Sequence, residues 1–185
     1  MQNFFKDYFS LMNSTIRAID SYELKEVANL IRSVNTDEKK IILCGNGGSA
    51  AMASHVSVDL TKAARIKAIN FNEADLLTCF ANDYGFNHVF EKAVEFYGNE
   101  GDLLILISSS GQSKNVIAAA KKAKELGISV VTLTGFKSNN PLKQLGEINL
   151  WANSNAYNIV EMTHHIWLLS IVDFLVGDIY YSAIN

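Results

Sequence analysis

Two serine- and glycine-rich segments are the strongest candidates for binding an anionic ligand. The first is Cys44-Gly-Asn-Gly-Gly-Ser-Ala50, and the second is Ile107-Ser-Ser-Ser-Gly-Gln-Ser113. Each segment follows a short apolar run and precedes a helical pattern, which predicts a loop that joins a strand to the N-terminus of a helix. Hydroxyl groups and the free N–H groups of a helix N-terminus suit a phosphate dianion. We therefore predict that the two loops bind a phosphorylated ligand.

An ordinary turn explains these segments less well. A tight strand-to-helix turn needs one or two glycines, and an N-cap accounts for one serine of the second loop but not for all four. The glycine spacing also differs from the GxGxxG dinucleotide fingerprint, and no acidic residue ends a following strand at the required distance. The sequence therefore predicts no nucleotide cofactor.

The loops must be positioned by strands and helices that alternate along the chain. Short apolar runs typical of buried strands occur at 40–44, 103–107, 129–133 and 148–151, with a weaker one at 66–69. Helical patterns separate them, which implies parallel pairing. We predict an α/β fold, a three-layer α/β/α sandwich with a mainly parallel five-stranded sheet, in which ligands bind at the carboxyl ends of the strands.

Helical patterns also frame this core. Apolar residues recur every three or four positions over residues 3–33, with a possible break near Ser21. Further helices are predicted over 86–97 and 157–181. The last pattern is apolar nearly all round, so most of its surface must be buried. Together with the N-terminal helix, it is the predicted subunit interface.

Composition excludes several other classes of protein. The chain has 185 residues, a net charge of −3 and only three arginines, which argues against nucleic-acid binding. Cys44 and Cys79 have no metal-binding spacing, and Cys44 is expected to be a buried thiol. The N-terminus lacks the features of a signal peptide. The most apolar late stretch, 166–176, is shorter than the roughly 20 residues that a membrane helix needs. We expect a cytoplasmic protein that does not bind a membrane.

The two loops, with Ala81-Asn-Asp-Tyr-Gly-Phe86 and Thr132-Leu-Thr-Gly135, resemble the sugar isomerase (SIS) domain, and within it the bacterial phosphoheptose isomerases. The resemblance covers nearly the whole chain. It implies one flavodoxin-like SIS domain over 1–185, with 1–35 as an N-terminal helical extension. It also implies a homotetramer, or at least a dimer, with active sites between subunits.

The same resemblance assigns residues to a phosphorylated sugar. It implies that Ser108, Ser110 and Ser113 bind the phosphate. We also predict that Ser109 and Gln112 of the same loop contact the substrate or its phosphate. It further implies that Gly47, Gly48 and Ser49 line the site, that Asn46 reaches a sugar hydroxyl, and that Asp83 lies near the sugar chain.

The catalytic residues are less well matched. Aldose–ketose isomerisation needs a base near the carbon and an acid or a metal near the oxygens. The resemblance implies a His and a Glu after the first loop, and a Gln and a His on the last helix, which together can bind zinc. His55 and Asp59 match the first pair, although Asp is one methylene shorter than Glu. Val160 and Leu168 stand in place of the second pair, and neither can transfer a proton.

His164 is the candidate replacement for the missing histidine. Positions 160, 164 and 168 share one helix face, so we hypothesise that His164 completes a catalytic set with His55 and Asp59. The same three residues are a candidate zinc site. The alternative is that His164 is a hydrogen-bonded histidine of the core or of an interface.

Two other histidines receive structural roles. His165 is expected to pair with Glu161, four residues earlier on the same helix. His88 is expected at the surface or in an interface.

The preferred interpretation is a phosphosugar aldose–ketose isomerase with an altered acid–base set. By resemblance it would act like sedoheptulose 7-phosphate isomerase in the synthesis of lipopolysaccharide or capsule. Two other functions stay open, namely a noncatalytic SIS protein that binds a phosphosugar and an adaptor that binds the bacterial replication initiator.

Overall fold

A parallel β-sheet forms the centre of the molecule. The computed structural model describes residues 3–34 and 38–180. The strands are β1 (Ile41–Gly45), β2 (Ala68–Asn70), β3 (Leu103–Ser108), β4 (Ser129–Thr134) and β5 (Ile148–Trp151). They lie in the order β2-β1-β3-β4-β5, and every neighbouring pair is parallel. The predicted five-stranded α/β fold is confirmed, and all the predicted strand segments are present.

Helices cover both faces of this sheet. They are α1 (Phe4–Ile16), α2 (Ser21–Ser33), α3 (Gly48–Lys62), α4 (Ala74–Tyr84), α5 (Val89–Tyr97), α6 (Lys114–Glu125) and α7 (Tyr157–Val176). The predicted break near Ser21 is confirmed, because Asp20 accepts a hydrogen bond of 2.9 Å from the Tyr22 N–H and caps α2. Helix α4 was not predicted, and none of its residues is fully buried.

Two hydrophobic cores lie on opposite faces of the sheet, because successive strand side chains point to opposite sides. Ile41 and Leu43 of β1 face a core that α2, α3 and α7 complete. Ile42 and Cys44 face a second core, completed by α5 and α6. Cys44 is a free, buried thiol as predicted, and burial raises its pKa well above the usual range.

Helix α7 packs against α1, α2 and α3. The indole N–H of Trp167 donates a hydrogen bond of 2.9 Å to the carbonyl oxygen of Ile16, which ties α7 to α1. The helix ends at Val176, where Gly177 adopts a φ of 90°. The sequence predicted that it continues to Tyr181, which lies outside the described residues.

The length and composition of α7 alone would allow it to cross a membrane. Its most apolar window has a mean hydropathy of 1.5, and 44% of that window is buried inside the protein. Core helices of soluble proteins meet the same criterion, so this finding is weak support for a membrane span.

The chain order places the two serine- and glycine-rich loops side by side. From β1 the chain moves outward to β2 on one side, and then returns to add β3, β4 and β5 on the other. The loops that follow β1 and β3 therefore meet at the point where the order reverses, which is where ligands bind in open parallel sheets. Gly45 at the end of β1 is in register with Ile107 of β3.

Candidate active site

The loop after β3, residues 108–113, concentrates hydroxyl groups at the start of α6. The Ser108 and Ser113 hydroxyl oxygens lie 3.1 Å apart, and the Ser110 hydroxyl accepts a hydrogen bond of 3.2 Å from the Gln112 N–H. The turn is possible because Gly111 adopts a φ of 63°. The Ser109 hydroxyl is buried and has no partner within the described residues. This loop will be called the serine loop.

The loop after β1, residues 45–49, is held against the serine loop by paired amides. The side chains of Asn46 and Asn115 exchange two hydrogen bonds, of 3.0 and 2.9 Å. Asn115 lies in the first turn of α6, so this pair locks together the starts of α3 and α6. Sequence reasoning missed Asn115, because an asparagine near a helix start gives no signal of a partner so distant in the sequence.

A cleft of about 130 Å³ opens between these loops and α7. Its lining brings together most of the predicted phosphate- and sugar-binding side chains, namely Asn46, Ser49, Ser108, Ser109, Ser110 and Ser113. Two residues of α7 that were not predicted there, Tyr157 and Glu161, complete the wall. Four other residues of the predicted substrate-binding set do not line the cleft, namely Gly47, Gly48, Asp83 and Gln112. Asp83 lies on α4, where it accepts a hydrogen bond of 2.8 Å from Asn82.

A chain of three titratable side chains in contact, His165, His55 and Asp59, joins α7 to α3. His55 Nε2 lies 3.2 Å from a carboxylate oxygen of Asp59, and His55 Nδ1 lies 3.0 Å from His165 Nε2. In the tautomer that carries its proton on Nε2, beside the Asp59 carboxylate, His55 accepts the Nε2–H of His165 at its Nδ1. Burial and then the neighbouring His55 lower the pKa of His165, while Asp59 acts in the opposite direction. We call these residues the histidine chain.

His164 does not take part in the histidine chain, which corrects one member of the predicted catalytic set. Its side chain is fully buried, and its Nε2 lies 2.9 Å from the carbonyl oxygen of Thr134 at the end of β4. The stripe that it shares with Val160 and Leu168 faces the core, so those residues are also buried. Because one residue along a helix rotates the side chain by about 100°, His165 faces α3 instead.

The environment of His164 matches the alternative of a core histidine. Burial lowers its pKa to about 4, against a smaller opposing effect of the bond to Thr134. Its Nδ1 is buried and has no hydrogen-bond partner in the described part of the chain. A neutral imidazole is therefore the form that the core accepts.

The predicted contact between Glu161 and His165 is also wrong, because the two side chains have other neighbours. Glu161 lies against Gly48 at the start of α3, while His165 contacts His55. His88 is exposed as predicted, and its Nδ1 lies 2.6 Å from a carboxylate oxygen of Glu91.

The predicted zinc site does not fit this arrangement. Within residues 3–34 and 38–180, no group of three or more His, Cys, Asp or Glu side chains is placed to hold a metal ion. Both ring nitrogens of His55 are engaged, Nδ1 in a hydrogen bond with His165 and Nε2 in a contact with the Asp59 carboxylate, and His164 faces the core. The set of His55, Asp59 and His164 therefore does not form a metal site within one chain.

Comparison with known proteins identifies the family. The model of the SIS domain matches residues 4–135. The chain is 35% identical to the phosphoheptose isomerase of Fusobacterium nucleatum over 175 residues, which cover 91% of this chain and 90% of that protein. It is 33% identical to the phosphoheptose isomerase of Helicobacter pylori strain P12, with 91% of each protein covered.

Solved structures agree with this assignment. The phosphoheptose isomerase of Neisseria gonorrhoeae matches with a TM-score of 0.87 and 29% identity, covering 95% of this chain and 98% of that one. The corresponding structure from Francisella tularensis matches with a TM-score of 0.86 and 26% identity, covering 96% of each chain. The chain therefore belongs to the SIS domain family.

Proposed function

From its membership of the SIS domain family and the contents of the cleft, we propose that the chain is a phosphosugar aldose–ketose isomerase. The observation that supports this most directly is the serine loop, whose hydroxyls share one cleft with a titratable side chain of α7. The hydroxyls of Ser108, Ser110 and Ser113, with the N-terminus of α6, bind the phosphate of the substrate. Among the described residues, no lysine or arginine lines the cleft, so the phosphate is bound without a full positive charge. Binding of this kind suits a ligand that must be released after each turnover.

Isomerisation also requires proton transfer at the two sugar oxygens, and the histidine chain is suited to it. With the proton of His55 on Nε2 beside Asp59, and with its Nδ1 accepting the Nε2–H of His165, the Nδ1 of His165 keeps a lone pair. Because the pKa of His165 is lowered, this imidazole is neutral at pH 7 and can accept a proton and return it. Tyr157, Glu161 and His165 follow one another at intervals of four residues on α7, so the histidine chain lies one helical turn from the cleft.

The proposed substrate is a ketose phosphate such as sedoheptulose 7-phosphate, on the basis of the phosphoheptose isomerases that the chain resembles. By the same reasoning, the protein would act in the cytoplasm, in the synthesis of surface carbohydrate.

We also propose a homotetramer, or at least a dimer, with sites at the subunit interfaces. Exposed apolar side chains on α1 and α7 support this. Phe5 and Phe9 are 70% and 65% exposed, and Ile166 and Phe174 are 42% and 46% exposed. An apolar surface of this kind is typical of an interface.

A second candidate is a noncatalytic protein that binds a phosphosugar. Val160 and Leu168 favour it, because both are buried aliphatic residues at positions where the resemblance implies a Gln and a His. Such a protein would retain the serine loop and lose proton transfer.

One experiment separates the two candidates. The purified protein is incubated in D₂O with sedoheptulose 7-phosphate, fructose 6-phosphate or ribulose 5-phosphate, and hydrogen exchange at C1 is followed by NMR. Parallel samples contain a chelator or added zinc, which tests whether exchange depends on a metal. Exchange with at least one sugar supports the isomerase, and tight binding without any exchange refutes it. The Ser108→Ala variant should weaken binding of the same sugar in calorimetry.

A further inference from the structure

Glu161 places a carboxylate without a protein partner in the wall of the cleft. It shares that wall with Ser108, Ser110 and Ser113. Within the described residues, the carboxylate of Glu161 forms no hydrogen bond and no ion pair. The other side chains of the cleft are largely engaged with one another, Asn46 with Asn115 and Ser108 with Ser113. The lone pairs of Glu161 are therefore free to accept a proton.

Gly48 provides the space in which this carboxylate lies. A Cβ atom at position 48 would come within 2.9 Å of the Glu161 Cδ and 3.1 Å of its Oε1, and still closer to its Oε2. Only glycine at position 48 leaves Glu161 undisturbed. Gly48 is the first residue of α3, where the positive end of the helix dipole stabilises an anion.

The N-termini of α3 and α6 thus meet at the cleft, and different side chains lie against each of them. Glu161 lies against the start of α3, whereas serine hydroxyls surround the start of α6. An incoming phosphate dianion is repelled by the carboxylate and is attracted by the hydroxyls. The phosphate therefore belongs at the serine loop, and the sugar chain that extends from it passes Glu161.

His55, Asp59 and His164, the predicted catalytic set, are less suited to removing a proton from carbon, because none of them lines the cleft. His164 is fully buried and bonded to Thr134. Both ring nitrogens of His55 are engaged, with Asp59 and with His165. Among the residues that line the cleft, Glu161 is the sole carboxylate or imidazole.

We propose that Glu161 is the catalytic base that moves the proton between the two reacting carbons of the phosphosugar. This assignment rests on the proposed isomerase function, to which it adds the residue that acts at carbon. The histidine chain then acts at the sugar oxygens, so that the two proton transfers of isomerisation belong to two different groups.

In the direction from ketose to aldose, the Glu161 carboxylate takes a proton from C1. The electron pair of that C–H bond forms the C1=C2 double bond, and the oxygen on C2 gains a proton, which gives an enediol. The hydroxyl on C1 then loses its proton and becomes the aldehyde carbonyl, while C2 takes the proton from Glu161. The protons on the oxygens are exchanged with His165 or water, and no atom is gained or lost.

The test compares Glu161→Gln with wild type in the D₂O exchange assay, using the same three ketose phosphates. Removal of a general base costs about 10²- to 10⁴-fold in rate, so we expect a loss of exchange in that range. Binding of sedoheptulose 7-phosphate, measured by calorimetry, should change little, because glutamine fills the same space. Glu161→Asp should keep part of the activity. Glu23→Gln, on the exposed side of α2, is the matched control and should behave as wild type.

Each outcome decides the question. Exchange by wild type with an undiminished rate in Glu161→Gln overturns the role of Glu161 and leaves the isomerase function standing. No exchange by wild type with any of the three sugars overturns both. If Glu161→Gln fails to fold, circular dichroism will show it, and Glu161→Asp then provides the test. A folded Glu161→Asp variant with the full wild-type rate and an unchanged pH profile overturns the assignment.

Discussion

The buried imidazole of His164, bonded only through Nε2 within the described residues, leads to a quantitative prediction about how stability depends on pH. In the folded protein its pKa is lowered to about 4, whereas an exposed histidine has a pKa of 6.5. The unfolded chain therefore binds a proton at a higher pH than the folded chain does. Stability contributed by the neutral buried form is fully present above pH 6.5 and is lost as the pH falls toward 4.

The size of this loss follows from the two pKa values. One pKa unit corresponds to about 1.4 kcal/mol, so a fall from 6.5 to about 4 is equivalent to about 3 kcal/mol. Between about pH 6 and pH 4.5, the free energy of unfolding should decrease by about 1.4 kcal/mol for each pH unit from this residue alone. His165, whose pKa is also lowered, adds to the decrease in the same direction.

The assay is urea unfolding at a fixed protein concentration, followed by circular dichroism at several pH values from about 8 to 4.5. His164→Gln keeps a donor for the Thr134 carbonyl and removes the titrating group, so its curve isolates the contribution of His164. Above pH 7.5 the wild-type and variant curves should run parallel, and below pH 6.5 wild type should lose stability faster. Equal slopes for the two proteins over the acidic range would refute the reasoning. His164→Gln should also keep its exchange activity, since His164 lies outside the cleft lining.

Three further predictions concern the site and its support. Gly48→Ala should displace Glu161 from the start of α3 and lower the D₂O exchange rate at least about tenfold, with little loss of stability, because a Cβ would lie within 2.9 Å of the Glu161 Cδ. His165→Gln should slow isomerisation by about 100-fold, since it breaks proton transfer at the oxygens while the phosphate still binds; an unchanged rate in a coupled assay would exclude this role. Asp102→Ala should cost about 3 kcal/mol in urea unfolding at pH 7, because Asp102 is fully buried and accepts hydrogen bonds from both the backbone and the side chain of Lys40. A loss below about 1 kcal/mol would show that water reaches the pair.

If Glu161 and the histidine chain are the two proton-transfer groups, then Val160 and Leu168 are structural residues and their substitution does not imply a loss of catalysis. Both residues pack into the core beneath the cleft, and Val160 lies against Gly135, where a Cβ would come within 2.6 Å of it. Their side chains therefore hold α7 against the sheet. The side chains that can act on a ligand are on the neighbouring stripe of the same helix, at Tyr157, Glu161 and His165.

The sequence alone determined the sheet and the loops that follow its strands. Short apolar runs such as 103–107 can only be buried strands when they alternate with helical patterns, and local chemistry then places glycines and serines at the turns. The serine loop was predicted from its local sequence for this reason, and all four of its serines line the cleft. Helix α4 was missed because its partly buried residues, such as Leu77 and Phe80, pack on a core that no local pattern reveals.

Only the tertiary structure decided which residues of α7 face the site. A helix that is apolar on most sides has no sequence period that identifies its inner face, so the stripe of His164 and the stripe of His165 look equally plausible. The choice depends on the rotation of α7 about its axis, which is fixed by contacts with α1 and α3, such as the bond from Trp167 to Ile16. That rotation buries His164 against Thr134, brings His165 to His55, and turns Glu161 toward the glycine that begins α3.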